Sequence, residues 1–382
     1  MPSHKDGRVY RIAGIPSAIN GKAAVRGFLA DFFDSDEARI TIRSLGIHPQ
    51  KPDFLVAIVG FSPTPTECSS GSFWRLEKTT HVGERSIIAH LEIDTEFLGF
   101  TPLNLPLDDD QCDKIDCIAV SGLSSHPFGS WKHRGGQFMW LVDDTDGFPL
   151  NVRVLLYGYD STLFGSKSFQ DIEHMGQRLA TQIAGIRPLA GSSPSHVPRP
   201  LVFIAHSLGG LVVKEAVYQM ANDDAADAQT IFGLVLFGVP HFGLLVEPWL
   251  DIIGGQPNRT LIEDLSSNSR VLRKLDSRWP DSVSHTQIPM NRSHEDLPKF
   301  SGQFDSDYLV LKPFLEEIWV KAVQVVQARL DAINSKPQEM ATESVGLIQL
   351  WPYKEMGETV KTEIEYAFRS LFPFLPFIQL HH

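Results

Sequence analysis

Ser207 is the residue of this chain best placed for covalent chemistry. It lies in Phe203-Ile204-Ala205-His206-Ser207-Leu208-Gly209-Gly210, after the apolar run Leu201–Ala205 and before an apolar helical stretch from Leu208 to Met220. This is the pattern of a nucleophile elbow, G-x-S-x-G, with Ala205 in the first glycine position. Both outer positions must be small because the turn brings strand and helix backbones together, and alanine still meets that need. The elbow holds a serine in strained backbone and points its hydroxyl away from the sheet. It also sets the serine at a helix N-terminus, where the dipole favours a developing anion.

A serine hydroxyl is a weak nucleophile near neutral pH and needs a base. His206 is adjacent, but an elbow aims it away from the hydroxyl. Downstream stand His241, in Gly238-Val239-Pro240-His241, His285, and His294, in Arg292-Ser293-His294-Glu295-Asp296-Leu297-Pro298-Lys299-Phe300. In folds with this elbow the base arrives late, on a loop after the last strand, which favours His294. His241 is read as substrate-lining, like Gly122 and Asp160. The same order places a carboxylate between nucleophile and base. Glu263, Asp264, Asp276 and Asp281 are the candidates, with Asp281 nearest the last strand and Asp160 off-pattern. The oxyanion of an acyl-transfer intermediate needs two backbone N–H groups. One is expected from Leu208, the other from Leu123, where Gly122 permits close approach.

These groups need a scaffold. Short apolar strands at 115–120, 152–157, 201–205 and 231–239 alternate with helical patterns at 168–187 and 208–220. That alternation predicts a mostly parallel sheet with helices on both faces. With the elbow it predicts an α/β class chain of the α/β-hydrolase fold over 115–334, and the interval before His294 looks short of a segment. Helical spacing recurs at 258–275, 313–333 and 359–372, and a short strand is expected at 282–290. Residues 8–107 read as a small α+β leader, strand–helix–strand–strand, of ferredoxin-like or RNA-recognition-like order. Residues 335–382 read as a tail. Its apolar end, Phe372-Pro373-Phe374-Leu375-Pro376-Phe377, is that of a truncated chain or an interaction segment.

The bulk properties narrow the classes. At 382 residues, about two domains are expected. The net charge of −12 disfavours nucleic acid and anionic membranes as partners, and the leader shows no ring-stacking strand motif. Three cysteines, Cys68, Cys112 and Cys117, give no disulfide framework and fit a reducing compartment. No metal-ligand spacing and no G-x-x-x-x-G-K-[ST] motif are found, so neither metal nor cofactor is expected. The N-terminus lacks a signal-peptide pattern, and no window reaches the ~18 apolar residues of a spanning helix. An intracellular, cytoplasmic protein without a transmembrane segment is the expectation, with peripheral membrane contact left open.

The stretches 116–123, 128–131, 139–141, 157–161, the elbow with Val213-Lys214, 237–241 and 293–300 together resemble the lipase-like α/β-hydrolases of the serine-active-site-containing protein family. In particular they look like the fungal members that often precede NACHT-type ATPase and repeat domains, and 8–107 looks like the leader of those proteins. The resemblance implies a serine hydrolase with Ser207 and His294 in the catalytic places. It also implies a lipid ester as substrate and a location peripheral to mitochondrion or endoplasmic reticulum. Relatives carry further strands before the late histidine, one ending in a carboxylate; here that interval is shortened.

Two readings follow. One is a serine esterase or lipase (lipase- or acyltransferase-like) working through an acyl-enzyme on Ser207. The other is a catalytically impaired hydrolase acting as a signalling or protein-interaction module, with partners held by the leader or the tail.

Overall fold

The computed structural model describes residues 8–82, 85–105, 115–187, 199–223, 225–267, 269–278, 285–335 and 346–352. The leader contains β1 (Val9–Pro16), α1 (Lys22–Phe32), β2 (Ile40–Ile47), β3 (Phe54–Phe61), β4 (Phe73–Val82) and β5 (Arg85–Asp94). They form a sheet in the order β2-β3-β1-β5-β4, with every neighbour antiparallel. The apolar stripe of α1, Val25, Phe28, Leu29 and Phe32, buries against Tyr10, Ile12, Ile15 and Leu55. The run β2-β3-β1-β5 is a ferredoxin-like order. Where a second helix would stand, there is a 3₁₀ turn, Thr66–Cys68, and the edge strand β4 hairpinned to β5.

The other face of this sheet is covered at β3 and β1, while Ile88, His90 and Glu92 of β5 are exposed. Ile58 of β3 enters the core of the following domain with Phe97 and Leu103. Arg11 of β1 pairs with Asp94 at 2.7 Å and donates to the Leu98 carbonyl at 2.9 Å and to Thr101 Oγ1 at 3.1 Å.

The second sheet comprises β6 (Gly99–Pro102), β7 (Ile115–Val120), β8 (Val152–Gly158), β9 (Leu201–His206), β10 (Ile231–Phe237), β11 (His285–Met290) and β12 (Gly346–Pro352). Its order is β11-β12-β10-β9-β7-β8-β6; β6 runs antiparallel to β8, and the other neighbours are parallel. This is the α/β-hydrolase arrangement. The helices are α2 (Trp140–Asp143), α3 (Ile172–Ile186), α4 (Leu208–Asp223), α5 (Ala225–Gln229), α6 (Glu247–Ile253), α7 (Arg259–Asp264), α8 (Arg270–Arg278) and α9 (Ser306–Ser335). On one face α3, α4, α7 and α8 bury Met175, Leu179, Val212, Leu261 and Leu272. On the other, Trp131, Trp140 and the α9 residues Tyr308, Leu311 and Leu315 close the core. Helices on both faces explain why β7 and β9 are buried at every position and apolar at all but Asp116 and His206.

Three expectations change. First, β6 lies within the 8–107 leader range but pairs with β8, because Gly99↔Gly158 to Pro102↔Leu155 make it the edge of the second sheet. Second, β12 comes from the 335–382 tail, yet it inserts between β10 and β11 in register Gly233↔Gly346 and His285↔Leu347. The strand position that looked missing before His294 is filled from beyond it. Third, the long helix begins at Ser306 rather than Pro313. The Asp305 carboxylate accepts the N–H groups of Asp307 (3.1 Å) and Tyr308 (3.3 Å), a cap that starts the helix seven residues before the proline. The helical stretch expected at 359–372 lies outside the described residues.

Candidate active site

The sheet order reverses between β7 and β9: the chain leaves β7 for β8 on one side and returns to β9 on the other. Such a switch point opens a crevice at the C-terminal strand ends, where α/β proteins bind ligands. Ser207 sits there, between β9 and the start of α4. Its φ of 53° lies in the left-handed region, at a cost of roughly 1–2 kcal/mol for a non-glycine residue. Neighbours hold it there: the Ser207 N–H donates to the Phe237 carbonyl at 2.9 Å, and its own carbonyl accepts from the Gly210 N–H at 3.0 Å. A side chain on Gly209 would place Cβ 2.4 Å from the Ser121 carbonyl oxygen, so the turn closes only with glycine.

The loop after β7 is pinned from β8. Tyr159 donates its hydroxyl to the Ser121 carbonyl (2.8 Å), Ser161 donates to the Gly122 carbonyl (3.1 Å), and the Ser124 N–H donates to Ser161 (2.8 Å). Gly122 presses so closely on the elbow that a Cβ would lie 2.8 Å from Ser207 Cβ. Among the described residues, the N–H groups of Leu208 and Leu123 have no hydrogen-bond acceptor.

His294 opens a 3₁₀ turn, His294–Asp296, just after β11. The local sequence builds the turn. Ser293 donates to Asp296 Oδ2 at 2.8 Å, and the N–H groups of Asp296 and Leu297 return to the Ser293 carbonyl at 3.0 Å. Leu297 and Phe300 anchor it in the core, and buried Trp140 donates Nε1–H to the Pro298 carbonyl at 2.9 Å. Arg134 pairs with Glu295 and, at 3.3 Å, with Asp296. Arg292 donates to the Lys299 carbonyl at 2.6 Å and pairs with Asp305.

The His294 ring lies against Gly238 and stands 4.9 Å, centroid to centroid, from the His206 ring. Burial, with the nearby Lys299 ammonium, pushes the His294 imidazole down to about 4, so it is neutral at physiological pH. Among the described residues, Ser207 Oγ makes no hydrogen bond to His294, and no carboxylate bonds to the His294 ring.

The other expected positions are distributed as follows. His241 follows β10 on the same sheet edge, its N–H on the Val239 carbonyl at 2.9 Å. Asp160 accepts the Thr162 N–H at 3.1 Å and shapes the loop after β8. Glu263 pairs with Arg259 at 2.8 Å on the surface. Asp264 sits near Asp171 and Ile172 at the start of α3, and burial raises its carboxyl to about 6. Asp276 lies on α8, and His285 begins β11. Asp281 lies outside the described residues. The sequence sets His206 aside as a base and assigns no role to Tyr159 or Ser161. Their only signal was position: each stands at the end of a sheet strand or just beyond it.

Residues 151–267, which include Ser207 and end before His294, match the family described as "Putative serine esterase (DUF676)". The chain is 23% identical over 236 residues to Protein SERAC1 of Danio rerio, covering 60% of this chain and 34% of that protein. It thus spans about a third of that relative's length. Among solved structures, phospholipase PlaB from Legionella pneumophila with thio-NAD aligns over 49% of this chain and 37% of its own, at 15% identity and a TM-score of 0.33. Aspergillus fumigatus lipase B aligns over 46% of this chain and 38% of its own, at 16% identity and a TM-score of 0.31. The sheet order, rather than these partial overlaps, establishes the fold. Among the described residues no helix is long and apolar enough to cross a membrane.

Proposed function

We propose that this serine esterase-like domain hydrolyses carboxylic esters, with a lipid acyl ester as the substrate class. The observation that carries the reading is the elbow itself. Ser207 is held at φ 53° on the α4 N-terminus, with the acceptor-free N–H groups of Leu208 and Leu123 on either side. Ser207 Oγ attacks the ester carbonyl carbon, and His294, neutral at pH 7, takes its proton. The Leu208 and Leu123 N–H groups hold the tetrahedral oxyanion. Collapse breaks the bond to the alcohol oxygen, which receives the proton from His294. Water, deprotonated by His294, then attacks the acyl carbon, and the bond to Ser207 Oγ breaks as His294 returns the proton to it, releasing the acid. Gly122, Asp160 and His241 line the approach, and Asp281 remains the sequence-based assignment for the acid. No step calls for a metal or cofactor.

The lipid class has support from the surface at this edge. Phe169, on the loop after β8, is 79% exposed, and Phe242 and Leu245, on the loop after β10, are 67% and 55% exposed. Apolar side chains left in water beside a catalytic crevice suit an acyl chain or a lipid surface.

The test is labelling of the purified protein by a fluorophosphonate, with Ser207→Ala and His294→Ala as controls. Labelling that vanishes in both variants supports the reading. A folded protein that does not label sinks it.

A second reading is favoured by one observation: His294 lacks both a bond to Ser207 and a carboxylate partner among the described residues. A catalytically impaired module keeping this fold for protein interaction would show that arrangement, and the same experiment separates the two.

A further inference from the structure

His206 precedes the nucleophile and is 5% exposed at the end of β9. An imidazole buried there needs a reason, because a buried polar ring without partners is costly. The reason lies across the crevice. His206 Nε2 stands 2.9 Å from the His294 carbonyl oxygen, and the two rings pack at 4.9 Å and 40°. A carbonyl only accepts, so Nε2 carries the hydrogen. The other nitrogen, Nδ1, is buried with no hydrogen-bond partner among the described residues. It faces Gly122, where an added Cβ would come within 3.2 Å of it. His206 therefore touches the oxyanion-side loop and the backbone of the base, and it is covalently joined to the nucleophile.

We propose that His206 is a positioning residue that fixes His294 relative to Ser207 through the Nε2–H to carbonyl bond. The inference rests on the esterase reading for its catalytic meaning, while the bond itself does not.

The geometry explains why the bond matters. His294 follows β11, the outermost strand of its sheet, and β11 reaches β10 only through β12. The elbow stands on β9, on the far side of β10. Across the sheet, two strands thus lie between base and nucleophile. The His206 bond spans that distance in one step, from the residue next to Ser207 to His294 itself. A displacement of about 1 Å between reacting groups costs on the order of 10²-fold in rate. Burial keeps the His206 ring neutral, well below the ordinary imidazole range, so the ring retains one N–H and one bare nitrogen across physiological pH.

The experiment uses the full chain and three variants. His206→Phe keeps a ring but no donor; His206→Gln restores an amide N–H at similar reach; His206→Asn carries an amide too short to reach His294. Two quantities are read: the fluorophosphonate labelling rate of Ser207, and hydrogen exchange of the Asp296, Leu297 and Lys299 amides. The expected result is at least ten-fold slower labelling and faster exchange at those amides in the Phe and Asn variants. The Gln variant recovers most of both, and all three keep thermal midpoints close to one another. A merely structural role would move the midpoint and be insensitive to the Gln rescue. Should the Phe variant not fold, Asn takes its place. If Phe or Asn labels and exchanges as the parent does, the proposal is overturned. If the parent does not label, the esterase reading fails separately, and exchange alone decides whether His206 holds the His294 turn.

Discussion

Trp140 and Pro298 are joined by a buried hydrogen bond: the indole Nε1–H of Trp140 donates to the Pro298 carbonyl at 2.9 Å. One partner lies in the short helix α2 and the other four residues past His294. The bond ties the loop that carries His294 to the aromatic core of Trp131, Phe237, Phe300 and Tyr308. Trp140→Phe keeps an aromatic ring and leaves a buried carbonyl unsatisfied. The expected loss is about 1–3 kcal/mol of stability, read from urea or thermal unfolding. Unchanged unfolding would show that the carbonyl finds water.

Gly209→Ala tests the closure of the elbow. The new Cβ would meet backbone oxygen at 2.4 Å, from Ser121, and at 2.5 Å, from Val120. Backbone cannot step aside as a flexible side chain can, so strand and helix must separate. The expected cost is about 1–3 kcal/mol, with Ser207 labelling lost. A variant that labels at the parent rate would remove close approach as the reason for glycine here.

Tyr159→Phe removes the hydroxyl that holds the Ser121 carbonyl at 2.8 Å. Loss of an oxyanion-hole donor costs roughly 10²–10³ in rate, so a donor merely loosened should cost about ten-fold. The measurement is the labelling rate, with an expected stability loss of about 1 kcal/mol. An unaltered rate would detach Tyr159 from the site.

The pH dependence follows from His294, pushed down to about 4 by burial and then by Lys299. In the proposed mechanism His294 acts when neutral, so labelling should hold from pH 8 to about pH 5 and fall as pH drops through about 4. For stability, the unfolded histidine takes a proton near its ordinary pKa of about 6.5 and the folded one does not until about 4. This contribution to stability is fully present above about 6.5 and is lost as pH falls towards about 4. Lys299→Met removes the neighbouring cation and should move the acid limb of the labelling profile to higher pH. A limb that stays in place would show that burial alone sets it.

Removal of residues 336–382 deletes β12, through which β11 is joined to β10. The expected result is loss of exchange protection in His285–Met290 and loss of Ser207 labelling, with the leader sheet intact. Retained protection in β11 would mean that β11 docks on β10 without β12.

Much of the scaffold was legible in the sequence because its signals are local. The apolar run before Ser207, the small residues at Ala205 and Gly209, and the glycines after it describe a strand–turn–helix regardless of what surrounds them. The helical spacing of Ile172, Met175, Leu179 and Ile183 is a property of one helix face, and the place of His294 after β11 is a matter of chain order. The positions of Ser207 and His294 could therefore be read by type and order. Their catalytic roles are the proposal made above.

Pairing partners could not be read, because a parallel strand is specified by neighbours distant in sequence. Nothing in Gly346–Pro352 says that it inserts between β10 and β11, and nothing in Gly99–Pro102 says that it leaves the leader for β8. The start of α9 was hidden for a related reason: Pro313 is a strong local start signal, whereas the Asp305 cap is held in place by Arg292 and Ser301, groups brought to it by folding. The His206–His294 bond belongs wholly to the tertiary structure. The sequence determined that a histidine would stand beside the nucleophile. Folding decided that its N–H would point at the His294 carbonyl, because that carbonyl reaches the elbow only when the sheet is assembled.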